Sequence, residues 1–300
     1  MILVTGATGF VGRHVVRELL PHTRRVRAMV RDARGAAALA GLDCELVRGD
    51  VTDPASVIAA VRGCRTVVHL VGIISGSPSA FDAVIGTGTR NVVRAAAETG
   101  ARRVVHMSAL GTSPETARAV PYFRTKLQAE ETVIASGISH TILRPSFVFG
   151  SDGGSLPLFT RIARLAPVTP VIGKGTQRFQ PIWVEDLARA VRLAVQKETD
   201  APTLVELGGP DVVDWNAFWG LLKRSLGTSR PTLHVPAWFL RPQAALFELL
   251  PRPLLTRDQL RMLELGDNVV TDGGTSARAL GLSGLVGLDE QLRRGVGSGG

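Results

Sequence analysis

Met1-Ile-Leu-Val-Thr-Gly-Ala-Thr-Gly-Phe-Val-Gly12 runs an apolar segment straight into three glycines. Ile2-Leu3-Val4 reads as a buried parallel strand, and the spacing Gly6, Gly9, Gly12 turns the backbone sharply onto a helix. The first glycine makes the turn, the second lets the backbone approach a pyrophosphate, and the third lets helix and strand pack closely. Phosphate then sits on the unpaired N–H groups at the positive end of the helix. Val15, Val16, Leu19 and Leu20 follow at helical spacing and Val26-Arg-Ala-Met-Val30 reads as a second strand, which separates this triplet from a chance one among 33 glycines.

The 300 residues, 45% hydrophobic and 20% charged, describe a soluble globular chain large enough for one elaborated domain or two intimate lobes. The first strand begins at residue 2, which leaves no room for a targeting sequence, and the expectation is cytoplasmic, either free or peripheral to the inner face of the membrane. Cys44 and Cys64 lack metal-like spacing, so neither a disulfide framework nor a metal is expected. The net charge of +9 comes from 35 basic residues, of which only Lys126, Lys174, Lys197 and Lys223 are lysines. The arginines are scattered and the chain has a single tyrosine, a solvated basic surface rather than a nucleic-acid groove.

The junction Val30-Arg31-Asp32 chooses the nucleotide. An acidic residue closing this strand accepts from the ribose hydroxyls of NAD, whereas a cation suits the 2′-phosphate of NADP. Arg31 points to NADP(H); NAD(H) is the alternative if Asp32 takes the acidic role. Cys44 to Val51 is a third strand ending in Gly49-Asp50, with Asp50 toward the adenine amino group and Val51 beside the ring. Asp53 caps a helix. Thr66-Val-Val-His-Leu-Val-Gly72 is the fourth strand, in which His69 reads as a satisfied core histidine. A helix over 81–99, interrupted at 86–88, precedes the fifth strand, Arg103–Ser108. This β-α alternation predicts a doubly wound parallel α/β sheet of Rossmann type. Gly6, Arg31, Asp50, Gly72 and Ser108 fall at strand carboxyl ends, where such sheets bind ligands.

Pro121-Tyr122-Phe-Arg-Thr-Lys126 opens the next helix, with Tyr122 and Lys126 four apart on one face. A phenol has an ordinary pKa of about 10, too high for proton transfer at neutral pH, and a neighbouring ammonium favours the phenolate.

Thr5-Gly-Ala-Thr-Gly-Phe-Val-Gly12, Gly49-Asp50, His69-Leu-Val-Gly72, Tyr122-x-x-x-Lys126 and Arg144-Pro-Ser-Phe-Val-Phe-Gly150 resemble the extended and atypical short-chain dehydrogenase/reductases, the epimerase/dehydratase-like proteins among them. Within that group the chain is most similar to bacterial relatives of the dehydrogenase-like accessory subunit of respiratory complex I. His106-Met-Ser-Ala-Leu-Gly111, Thr125-Lys-Leu-Gln-Ala-Glu130, Arg178–Asp186 and Leu204–Gly209 carry that similarity, with a weaker echo at 255–260. The resemblance implies Tyr122 as acid/base and Lys126 as the ribose ligand that lowers the tyrosine pKa. It implies nucleotide contacts from Gly6, Thr8, Gly9, Phe10, Val11, Gly12, Arg31, Asp50, Val51, Leu70, Val71, Gly72, Met107, Tyr122, Lys126, Pro145 and Val148. The hydroxyl that polarises the substrate carbonyl falls on Ala109, so Ser108, Thr112 or Ser113 substitutes for it or turnover is impaired.

Residues 1–150, with 181–209 returning to the sheet, read as the dinucleotide-binding domain, and 151–180 with 210–300 as a small, mostly helical substrate or partner lobe. Arg161, Arg164, Lys174 and Arg178 make its cleft basic or are simply solvated. Trp215, Phe218 and Trp219 read as core. The apolar stretch 236–251 packs on the lobe, on a second copy or assembly partner, or on a membrane surface. Two functions follow: an NADP(H)-dependent oxidoreductase or epimerase/dehydratase acting on an unknown small molecule, or a non-catalytic NAD(P)H-binding structural or redox-sensing protein.

Overall fold

In the computed structural model, residues 1–197, 201–248 and 256–297 are described. They form two compact units. The first comprises Met1–Pro145, Val184–Leu207 and Thr271–Gly284; the second comprises Ser146–Trp183, Gly208–Val270 and the residues from Leu285 onward.

Seven parallel strands build the first unit: β1 (Ile2–Thr5), β2 (Val26–Val30), β3 (Glu45–Arg48), β4 (Thr66–His69), β5 (Arg103–Met107), β6 (Ser139–Pro145) and β7 (Leu204–Leu207). Their spatial order is β3-β2-β1-β4-β5-β6-β7, so the winding reverses between β1 and β4 and opens a crevice beyond their carboxyl ends. This is the doubly wound Rossmann-type sheet expected from the alternation of strand and helix. Leu3, Val67, Val104 and Ile142 point to one face and meet Val57 and Ala60 of the Pro54–Val61 helix and Val92 and Ala96 of the Gly88–Thr99 helix. On β5, Arg103 is buried and donates to Ala194 O at 2.8 Å, Ser139 Oγ at 2.7 Å and Thr141 Oγ1 at 2.8 Å.

The helix expected over 81–99 with an interruption at 86–88 is helical throughout, the irregularity being a change of winding at 82–87. It begins as an α-turn at Pro78–Phe81, widens to a π-helical turn at Asp82–Thr87, and resumes as an α-helix at Gly88–Thr99. A Cβ on Gly88 would stand 2.9 Å from Val51 Cγ2, so Gly88 lets this helix close onto Val51. Thr271–Gly284 also belongs to this unit. Glu206 on β7 accepts from Thr271 N at 2.6 Å and Thr271 Oγ1 at 2.8 Å, and donates its own N–H to Ser276 Oγ at 3.1 Å.

Aromatic residues build the second unit. Phe149, Phe179, Trp183, Phe218 and Trp219 are buried together, and Phe179 stacks on Trp215 at 4.4 Å. Asp214 caps the Trp215–Ser225 helix by accepting from Ala217 N at 2.7 Å. Two of the four cations proposed to make this lobe basic are engaged: Arg178 pairs with Asp267 at 2.7 Å, and Arg164 donates to Val296 O at 3.3 Å. The apolar stretch 236–251 forms the Ala237–Phe247 helix; its last three residues, and Leu255 of the 255–260 echo, lie outside the described residues. Among the described residues no helix is long and apolar enough to cross a membrane, and no group of His, Cys, Asp and Glu side chains is arranged to hold a metal.

Candidate nucleotide and active site

β1 ends in the glycine turn. Gly6 adopts φ +70, and its carbonyl accepts from Gly9 N at 3.0 Å. A Cβ on Gly12 would lie 2.1 Å from Gly6 O, so only glycine lets the first helix, Phe10–Leu19, start against the strand that feeds it. That helix has Gly9 as its N-cap, no side-chain cap and no acidic residue in its first turn. Thr8, Phe10 and Val11 sit on this turn and are only half buried. A helix end with uncapped N–H groups and a positive dipole, opening at the sheet crevice, suits a diphosphate.

Around it, each neighbouring strand end brings expected residues. At the end of β2, Arg31 is exposed. Asp32 caps the Ala33–Ala37 helix, accepting from Gly35 N at 2.8 Å, so one of its carboxylate oxygens is already engaged. Beyond β3, Asp50 accepts from Thr52 N at 2.8 Å and Thr52 Oγ1 at 2.7 Å. These bonds, with a smaller contribution from the Arg31 charge, hold its carboxyl below the usual carboxylate range. Val51 is buried, and Asn91 donates to its carbonyl at 2.8 Å. Beyond β4, Leu70, Val71 and Gly72 pass beside the turn, where a Cβ on Gly6 would stand 3.1 Å from the Leu70 carbonyl carbon.

The Pro121–Ala135 helix supplies the chemistry. Tyr122 and Lys126 are both buried. Lys126 Nζ donates to Met107 O, at the end of β5, at 2.8 Å; it lies 6.0 Å from the Tyr122 ring centroid. A Cβ on Gly72 would come within 3.3 Å of the same Nζ. Burial pushes the ammonium down to about 8, partly opposed by Glu130, itself buried and held by Arg144 through two bonds of 2.8 and 2.5 Å. The Tyr122 phenol is pushed up by burial. The expected lowering by Lys126 does not act on the phenol in this geometry, where burial alone sets its direction. Phe81 meets the Tyr122 ring edge-on at 5.9 Å.

Of the three hydroxyls considered in place of Ala109, two are committed. Thr112 Oγ1 donates to Ala109 O at 2.8 Å, and Ser113 Oγ caps the Pro114–Ala119 turn by accepting from Thr116 N at 3.3 Å. Ser108 Oγ is buried with no partner among the described residues. Pro145 closes β6 and accepts from Leu110 N at 2.9 Å, whereas Val148 lies in the second unit, paired with Ile182.

The runs that contain His69 and His106 gave no sign that the two rings meet. His69 and His106 are paired across β4 and β5 and stack at 5.4 Å. His69 is satisfied, as expected of a core histidine, by Thr5 Oγ1 at 2.7 Å and Thr89 Oγ1 at 3.1 Å. His106 has no partner for either ring nitrogen among the described residues. Burial, and secondarily the Lys126 charge, push His69 down to about 3; burial, His69 and Lys126 lower His106 as well.

A Rossmann sheet with an uncapped glycine turn facing its crevice defines a nucleotide-binding protein, and residues 6–161 match the NAD(P)H-binding family. The chain belongs to that family. It is 30% identical over 313 residues to sterol demethylase protein B of Methylococcus capsulatus, covering 93% of this chain and 92% of that protein. It is 34% identical over 209 residues to the ceramide reductase of Caulobacter vibrioides, covering 69% of this chain but only 64% of that protein. The mitochondrial NADH dehydrogenase [ubiquinone] 1 alpha subcomplex subunit 9 of Arabidopsis thaliana is 29% identical over 217 residues, 70% of this chain and 54% of that one, which agrees with the complex I resemblance. In fold, the dTDP-glucose 4,6-dehydratase of Streptomyces venezuelae, solved with NAD bound, superposes with a TM-score of 0.76 at 23% identity, covering 99% of this chain and 96% of that one.

Proposed function

We propose that this protein is an NADP(H)-dependent oxidoreductase acting at a hydroxyl or carbonyl carbon of an apolar small molecule. The nicotinamide supplies the hydride donor or acceptor. The observation that carries the reading is the convergence at one sheet edge of the uncapped glycine turn with Lys126, whose ammonium stands against Met107 O and Gly72. Tyr122 then holds the proton of the substrate oxygen on its phenol, and Lys126 supplies a cation for the ribose hydroxyls beside it. Ser108, with its hydroxyl uncommitted, orients the substrate oxygen. Arg31 receives the 2′-phosphate; the engagement of Asp32 as a helix cap supports NADP over NAD. The apolar substrate class is drawn from the relatives named for ceramide and sterol.

Titration calorimetry with NADPH, NADP, NADH and NAD, followed by single-turnover oxidation of bound NADPH, tests both halves. NADPH binds tightest, and Arg31→Ala costs at least about tenfold in its affinity while leaving NADH within a few fold; equal losses for both nucleotides overturn the role of Arg31. A second reading, a non-catalytic NAD(P)H-binding subunit, is favoured by the raised phenol and by Ala109. It predicts tight nucleotide binding and no turnover with any hydroxy- or keto-lipid.

A further inference from the structure

The Ala237–Phe247 helix presents a nonpolar face to solvent. Trp238, Pro242 and Leu246 recur every fourth residue and so form one stripe, with Phe239 beside it. Trp238 is 68% exposed, Phe239 51% and Leu246 65%, and Pro242 is exposed too, whereas Ala244 on the opposite side is buried. Trp238 and Phe239 meet edge-on at 6.0 Å and extend the patch as one block. The helix's one charge, Arg241, stands at the margin of the stripe and pairs with Glu264 at 3.3 Å. Surface helices normally turn charged residues outward and bury their apolar stripe; here the outward stripe has nothing polar on it, and a stripe of this kind marks a contact surface.

We propose that this stripe seats the protein on an anionic lipid bilayer, the helix lying in the plane of the headgroups. Indole and phenyl rings favour that interface, and Leu246 suits the acyl boundary just beneath it. The flanking sequence supplies the matching charge. Residues 221–264 hold seven Lys and Arg against three acidic residues, a net excess of positive charge that remains although Arg257 pairs with Glu248, Arg261 with Asp258 and Arg241 with Glu264. Such a cluster draws an apolar stripe to anionic headgroups. A second copy of the chain would instead bring the same positive segment against itself, within a molecule of net charge +9. The inference is independent of the cofactor reading, which concerns the first unit.

Trp238 also provides the probe, since Trp183 and Trp219 are buried and Trp215 is half-buried. The full chain is mixed with vesicles of phosphatidylcholine alone or with phosphatidylglycerol, and partition is read by flotation and by quenching of tryptophan emission with brominated lipid. The chain floats with the anionic vesicles, salt releases it, and brominated lipid quenches its emission. Trp238→Phe abolishes most of the quenching without abolishing flotation. Trp238→Ala/Phe239→Ala/Leu246→Ala lowers partition at least about tenfold with melting temperature and NADPH affinity unchanged. Three results overturn the proposal: wild-type protein that stays in the aqueous phase, a triple variant that floats as well as wild type, and a dimer in sedimentation that the triple variant abolishes, which gives the stripe to a second copy.

Discussion

Lys126 holds a charge where the sheet offers it little solvation. Its ammonium is buried, bonded to one carbonyl, and shifted down to about 8 from an ordinary 10.5. A base whose folded pKa lies below its unfolded one costs stability while it is charged: the cost is full below about pH 8, shrinks as pH rises, and is gone above the ordinary value. Lys126→Met removes that charge and leaves a side chain of similar length, so at pH 7 the variant melts at the same temperature as wild type or higher, and the difference closes above about pH 10.5. A loss above about 2 kcal/mol at pH 7 would refute this account. The same variant, like Tyr122→Phe, loses turnover at least about a hundredfold if the pair moves the proton, with NADPH affinity for Tyr122→Phe within a few fold. That Tyr122 and Lys126 share one helix face was legible from their four-residue spacing. The hydrogen bond to Met107 O was not, because a side chain meeting a backbone carbonyl 19 residues away leaves no residue-type signal.

At the level of elements, the turn from β1 into Phe10–Leu19 is fixed by sterics rather than by propensity. A methyl group on Gly12 would overlap Gly6 O, so Gly12→Ala must part the helix from the strand and with it the turn that faces the phosphate. The expected result is a loss of stability of about 2–4 kcal/mol and of nucleotide affinity by at least tenfold. Asp32→Ala, which removes only the cap on Ala33–Ala37, costs about 1 kcal/mol and leaves NADPH affinity within a few fold if Asp32 has no ribose to hold. A larger affinity loss for NADH than for NADPH in that variant would reinstate Asp32 as the nucleotide-selecting residue. Strands β1, β2 and β4 were readable because each is a short apolar run bounded by turn residues. The π-helical turn at Asp82–Thr87 was readable only as an irregularity: Gly86-Thr-Gly88 marks a departure from regular α-helix, while the close approach of Gly88 to Val51 joins residues far apart in sequence. Likewise Thr271–Gly284 carries no pattern that assigns it to the first unit, since Glu206, Lys197 and Arg189 hold it from positions far away in sequence.

For the molecule as a whole, the pH dependence of stability on the acid side is set in part by the two stacked histidines. Both are neutral when folded, His69 at about 3 and His106 lowered well below its ordinary 6.5, whereas both take up protons near 6.5 once the chain unfolds. Stability from this source is therefore complete above about pH 6.5 and declines as pH falls toward the folded values, because the unfolded state binds protons that the native state refuses. His106→Phe isolates one of the two protons. His106 has no hydrogen-bond partner to lose among the described residues and its stacking on His69 is compatible with a phenyl ring, so the variant is as stable as wild type at pH 7 or more so. Between about pH 5.5 and 4 its unfolding free energy falls less steeply by about 1.4 kcal/mol per pH unit, the slope of a single proton. Urea unfolding at a series of pH values reads that slope directly. His69→Phe provides the contrast, since it also severs the bonds to Thr5 and Thr89; it shows the same relief of slope but begins from a stability lower by about 1–3 kcal/mol at pH 7. Equal acid slopes in wild type and His106→Phe would mean that His106 takes up its proton in the folded protein as well, which a ring fully enclosed beside another imidazole and a buried ammonium does not allow.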